Sequence, residues 1–91
     1  MLIRSQNKEL LVKFNVSAGI EIEEGTTKTV VTLYITGCSY LLGEYSTKSK
    51  AMKVLDMIQE AYERYEYEKV FKTGLTLFET FQMPEDSEVE V

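Results

Sequence analysis

Few side chains in this sequence could carry chemistry. Cys38 is the one cysteine, and there is no histidine. A thiol becomes a nucleophile when a base or a positive field makes it a thiolate. Without an imidazole partner, Cys38 reads as a turn or core thiol. Glu21, Glu23 and Glu24 bring carboxylates close together, but an acid–base pair needs two carboxylates in unlike environments inside a cleft. Here Glu21 and Glu23 alternate with Ile20 and Ile22, which puts them on the solvated face of a strand. Glu85, Asp86, Glu88 and Glu90 lack the glycine and ligand spacing of a calcium loop. The glycines, at 19, 25, 37, 43 and 74, form no phosphate-binding run. No catalytic residue, metal site or cofactor is therefore expected.

Two clusters remain. Ser46, Thr47, Lys48, Ser49 and Lys50 fall where a helix should begin, and free N–H groups and the helix dipole attract anions there. Ser46, Thr47, Lys48 and Lys50 are thus a weak candidate anion contact. The second cluster is aromatic: Tyr62, Tyr65, Tyr67 and Phe71, followed by Phe78 and Phe81. Tyrosine and phenylalanine bring large contact area, and tyrosine keeps a polar tip, so these six are the candidate interface.

The elements that must hold these residues are legible from periodicity. Leu10, Val12, Phe14 and Val16 alternate with Leu11, Lys13 and Asn15, and Ile20 and Ile22 continue the period of two. Glu24-Gly25-Thr26-Thr27 is a turn signal. Thr29 to Thr36 is nearly all β-branched or aromatic, with Val31, Leu33 and Ile35 on one face. Gly37-Cys38-Ser39 connects it to a returning strand, Tyr40 to Tyr45, as a hairpin. The period then changes to 3.6. Ala51, Val54, Leu55, Ile58, Ala61, Tyr62 and Tyr65 form one stripe of a helix running from Thr47 to about Glu66. Ser46 is the expected N-cap, and Glu60–Arg64 an i,i+4 ion pair. Leu75 to Met83 reads as a last strand, apolar on both faces and closed by Pro84.

Length and composition set the frame. A chain of 91 residues suggests one domain with one thin core. The net charge is −5, but residues 85–91 hold four of the fifteen acidic groups and no basic one, so the rest carries −1. An acidic balance disfavours broad nucleic-acid binding. The single cysteine suggests a reducing setting, no apolar run is long enough for a signal peptide, and no stretch approaches ~18 apolar residues. A cytoplasmic protein with no membrane contact is expected.

Four segments carry a resemblance. These are Met1-Leu2-Ile3-Arg4-Ser5-Gln6, Leu42-Gly43-Glu44-Tyr45-Ser46-Thr47, Lys50-Ala51 with Val54-Leu55-Asp56-Met57-Ile58, and Phe81-Gln82-Met83-Pro84. Together they resemble a group of small uncharacterised proteins of Gram-positive bacteria and their phages and prophages. Lys48 departs from that group, which more usually has an acidic residue after the cap. The resemblance implies a phage or prophage protein in a bacterial host cytoplasm and lends no activity.

The expected architecture is α+β: an antiparallel β-meander of five or six strands packed against one long amphipathic helix. Residues 1–84 should form the domain and 85–91 a mobile acidic tail. The expected function is non-enzymatic: an accessory or protein-interaction module that self-associates as a homo-oligomer, with room for an unidentified protein partner. The alternative is nucleic-acid or anion binding through the lysine-rich start of the helix.

Overall fold

The computed structural model describes residues 1–71 and 79–91. The fold is α+β, with six strands and one long helix among the described residues. The strands are β1 (Leu2–Arg4), β2 (Leu11–Lys13), β3 (Gly19–Glu24), β4 (Thr29–Ile35), β5 (Cys38–Tyr45) and β6 (Thr80–Gln82), and the helix is α1 (Lys48–Phe71). Short 3-10 turns occur at Phe14–Val16 and Asp86–Glu88.

The strands do not form one meander. They make two three-stranded sheets, ordered β2-β1-β6 and β3-β4-β5. All pairings are antiparallel except β1 with β6, which is parallel. A parallel neighbour requires a long connection, and everything from β2 through α1 lies between β1 and β6. The last strand is shorter than expected within the described residues. Its Leu75 to Phe78 portion lies outside them.

The core is built as the alternation predicts. Thr29, Val31 and Leu33 of β4 are buried, with Val31 and Leu33 completely so. Ala51, Val54, Ile58 and Ala61 of α1 are buried against the β3-β4-β5 sheet, and Leu55, Tyr62 and Tyr65 flank them half-buried. Ile3, at the centre of the other sheet, is also completely buried. The period of two fails after Lys13, where Phe14–Val16 turns as a 3-10 segment and Val16 is left exposed.

A β-bulge makes β5 work. Val31 pairs with Gly43 and Thr32 with Leu41, so Leu42 has no partner residue. One extra residue reverses which parity faces the core. Leu42 and Tyr45 are three positions apart, yet each is only 1% exposed. Gly43 fits closely here: a Cβ on it would lie 3.1 Å from both Cε2 and the hydroxyl oxygen of Tyr45, so the ring would have to give by a few tenths of an ångström.

The two sheets meet along a polar seam. Gln6 follows β1 and lies against β5. Its N–H donates to the Leu42 carbonyl at 2.7 Å. Its side-chain Oε1 accepts from the Glu44 N–H at 2.9 Å, and its Nε2 donates to the carbonyls of Glu44 at 3.0 Å and Pro84 at 3.2 Å. The Tyr45 hydroxyl donates to the same Pro84 carbonyl at 2.8 Å. Gln82 Nε2 donates to the Ser5 carbonyl at 2.9 Å, and the Met83 N–H to the Arg4 carbonyl at 3.0 Å. Gln6 thus satisfies backbone groups on the outer edge of β5 that would otherwise lack partners.

The helix differs from expectation at both ends. Thr47, not Ser46, is the N-cap: its Oγ1 accepts from the Lys50 N–H at 3.2 Å and its carbonyl from the Ala51 N–H at 3.2 Å. At the other end the helix runs past Glu66 to Phe71. Residues 66–71 contain neither glycine nor proline, and nothing in their types stops a helix.

Truncating Gln6 leaves both part-buried main-chain groups of Glu44 without their side-chain partner, whereas Tyr45→Phe leaves the Pro84 carbonyl its bond from Gln6. Gln6→Ala should therefore cost about 1–3 kcal/mol and Tyr45→Phe about 1 kcal/mol in urea unfolding. Burial, with smaller contributions from Glu85, Asp86 and Glu88, pushes the Tyr45 phenol well above its ordinary 10.0. The unfolded phenol ionises first, so the stability that depends on neutral Tyr45 is present below pH 10 and is lost as pH rises beyond it. Alkaline urea titrations should show this loss reduced in Tyr45→Phe.

Candidate functional surfaces

The helix start is anion-friendly, as its residue types suggest, and the chain fills it with its own anion. Asp86 Oδ1 accepts from the Ser46 N–H at 2.7 Å. Lys50 Nζ donates to the Asp86 carbonyl at 2.9 Å and lies 3.4 Å from Oδ2. The Ser46 N–H is the main influence on this carboxyl. With the Ser46 hydroxyl and the Lys50 ammonium it outweighs the opposing effect of burial and holds Asp86 below the usual carboxylate range. Lys48 Nζ lies 3.4 Å from Glu24 Oε1, in a solvent-exposed pair that contributes little to stability. Ser46, Thr47, Lys48 and Lys50 are therefore brought together, but Ser46 and Lys50 are already engaged by Asp86.

Within residues 85–91, expected as a mobile tail, Glu85 to Val89 lie against the body, while Glu90 and Val91 are exposed. Glu85 and Glu88 form a capping box around the Asp86–Glu88 turn, with the Glu85 N–H donating to Glu88 Oε1 at 2.8 Å. Val89 is buried. The physical reason is complementarity: a carboxylate-rich segment meets unpaired N–H groups and a lysine at a helix start.

The six candidate interface residues divide. Tyr62 is half-buried, its ring centroid 4.7 Å from that of Phe14. Tyr65 and Phe81 are half-buried and pack on the core. These three cover the chain's own interior. Tyr67 and Phe71 are 63% and 68% exposed, with ring centroids 4.6 Å apart, and Val70 between them is 63% exposed. Phe78 lies outside the described residues. Arg64 does not settle on Glu60 as the i,i+4 pattern suggests. Its guanidinium bonds Glu79 Oε1 at 2.7 Å, which ties α1 to the residue before β6.

Cys38 is exposed at the start of β5, beside the Thr36-Gly37 turn, where Gly37 takes a φ of 80°. Glu21, Glu23 and Glu24 are exposed along β3, not gathered in a cleft. Charge repulsion from Glu21, then burial and Glu23, raises the Tyr34 phenol above its ordinary value. Among the described residues, no three His, Cys, Asp or Glu side chains converge as a metal site, and no helix is long and apolar enough to cross a membrane.

One surface feature is not evident from the residue pattern alone. An open apolar groove of about 520 Å³ lies between α1 and β3, lined chiefly by Phe14, Ile20, Leu55, Ile58 and Tyr62, with Glu63 at its lip. Its signal was present in part: Leu55 and Tyr62 stand at the margin of the helical stripe, with Ile20 on the strand beneath.

Asp86→Asn keeps an acceptor at Ser46 but drops the charge. A carboxyl whose folded value is depressed contributes stability above the ordinary 3.8 that is lost as pH falls through the folded value. The variant should melt below the parent at neutral pH, and the gap should close as pH is lowered past 3.8 in thermal melts followed by circular dichroism.

No protein-family model matches the chain, and comparison with curated proteins and with solved structures finds no significant match.

Proposed function

We propose that this chain is a non-enzymatic accessory or protein-interaction module of phage or prophage type, acting in the bacterial cytoplasm as a homo-oligomer. The observation that carries this reading is the exposed end of α1, where Tyr67, Val70 and Phe71 project together. Their spacing of three and one places them on a single stripe. A second copy crossing the same turn would bury that stripe with the same stripe of its own, the self-complementary contact of a twofold dimer. Aromatic residues suit such contacts because they bury large area.

The types and placement of the reactive side chains favour a non-enzymatic role. There is no histidine, and Cys38 and the β3 glutamates sit on open surface. Nucleic-acid binding through Lys48 and Lys50 is the weaker reading, because each lysine already lies 3.4 Å from a carboxylate oxygen. A phosphate would have to displace Asp86.

The test is the solution mass by light scattering across a concentration series. A dimer or larger species is expected for the parent, and Tyr67→Glu combined with Phe71→Glu should give a monomer with an unchanged circular dichroism spectrum. A parent that stays monomeric throughout, or an oligomer indifferent to both substitutions, overturns the proposal.

A further inference from the structure

Among the described residues, no strand pairs with the outer edge of β3. β3 is the terminal strand of its sheet. The Gly25 N–H donates to the Lys28 carbonyl at 2.8 Å. In an antiparallel pair, residues that exchange both hydrogen bonds alternate with residues that exchange none. Counting back along the β3–β4 register, Glu23, Glu21 and Gly19 bond to β4, while the N–H and C=O groups of Ile20, Ile22 and Glu24 turn outward. An outward row of this kind is a template for another strand.

The two faces beside that edge differ in chemistry. Ile20 and Ile22 are half-buried and pack toward the core, and Ile20 also lines the 520 Å³ groove under α1. A strand added to β3 would place every second side chain over this face, within reach of the groove. The opposite face carries Glu21 and Glu23, both exposed, and Glu63 stands at the groove's lip. These carboxylates disfavour a second copy of the chain, because pairing β3 with itself would bring like charges together. They favour a partner of the opposite charge.

We propose that the β3 edge docks an extended segment of a partner protein that alternates apolar with lysine or arginine side chains. The main chain of that segment bonds to Ile20, Ile22 and Glu24, its apolar side chains enter the groove lined by Phe14, Leu55 and Tyr62, and its cations face Glu21 and Glu23. The field of Glu21 and Glu23 that raises the Tyr34 phenol acts on this same face. The docking edge is separate from the aromatic helix end, so a chain that proves monomeric still carries it.

The experiment selects binders from a random-peptide display library against the full 91-residue chain, then titrates the enriched peptide against variants. Enriched sequences should alternate apolar and basic residues. Binding should weaken roughly tenfold or more, about 1.4 kcal/mol, in Ile22→Pro, which removes an outward N–H without touching a bond to β4. It should also weaken in Glu21→Lys combined with Glu23→Lys, each variant keeping the parent circular dichroism spectrum. Amide shifts on peptide addition should centre on Ile20, Ile22 and Glu24. Failure to enrich an alternating sequence overturns the proposal, as does a peptide that binds Ile22→Pro as well as the parent. An oligomer of the chain that Ile22→Pro dissociates also overturns it, because the edge is then used between copies.

Discussion

The Pro84 carbonyl, held by both the Tyr45 hydroxyl and the Gln6 amide, is the point on which the rest of the structure depends. A chain this small cannot stabilise two separate three-stranded sheets on independent cores. Gln6 joins them by acting as a one-residue strand: it bonds the Leu42 carbonyl through its backbone and both main-chain groups of Glu44 through its side chain. The bulge at Leu42 turns Tyr45 inward to reach Pro84, and Gly43 leaves room for the ring. The segments around Gln6, Gly43–Tyr45 and Gln82–Pro84 meet at this seam. Their residue types answer to packing and hydrogen bonding and require no chemistry.

From the seam the chain runs directly into α1, and the seam also sets where the C-terminal segment goes. Pro84 is fixed beside Tyr45, so Glu85 and Asp86 arrive at the start of the helix, where Asp86 meets the Ser46 N–H and Lys50. A helix start that invites anions is thereby neutralised from within. At its other end Tyr67, Val70 and Phe71 are exposed, with no covering layer among the described residues. The two surfaces proposed for contact with other molecules are that end and the β3 edge.

Much of this was legible in the sequence, for a physical reason in each case. The faces of β4 and the stripe from Ala51 to Tyr65 follow from periods of 2.0 and 3.6, which burial imposes on residue type. The division into two sheets was not legible, because alternation reports burial and not partner identity, and the parallel β1–β6 pair joins residues nearly a whole chain apart. The bulge was hidden because Leu41-Leu42 fits either register. The placement of Asp86 at the helix start was not legible because carboxylates read as solvated unless their partner is known, and Ser46 and Lys50 are distant in sequence. The aromatic cluster was found as a group, but type alone could not separate Tyr62, which rests on Phe14, from Tyr67, which rests only on its helical neighbour Phe71 among the ring contacts of the described residues.

The central claim is that the seam makes two sheets one cooperative unit. Native-state hydrogen exchange, read at Ile3 in β1 and Leu33 in β4 across a denaturant series, tests it most directly. The two amides should report the same opening free energy in the parent chain and separate in Gln6→Ala, with Ile3 opening first. If Ile3 already opens at a much lower free energy than Leu33 in the parent, or if Gln6→Ala leaves the two amides together, the seam does not couple the sheets.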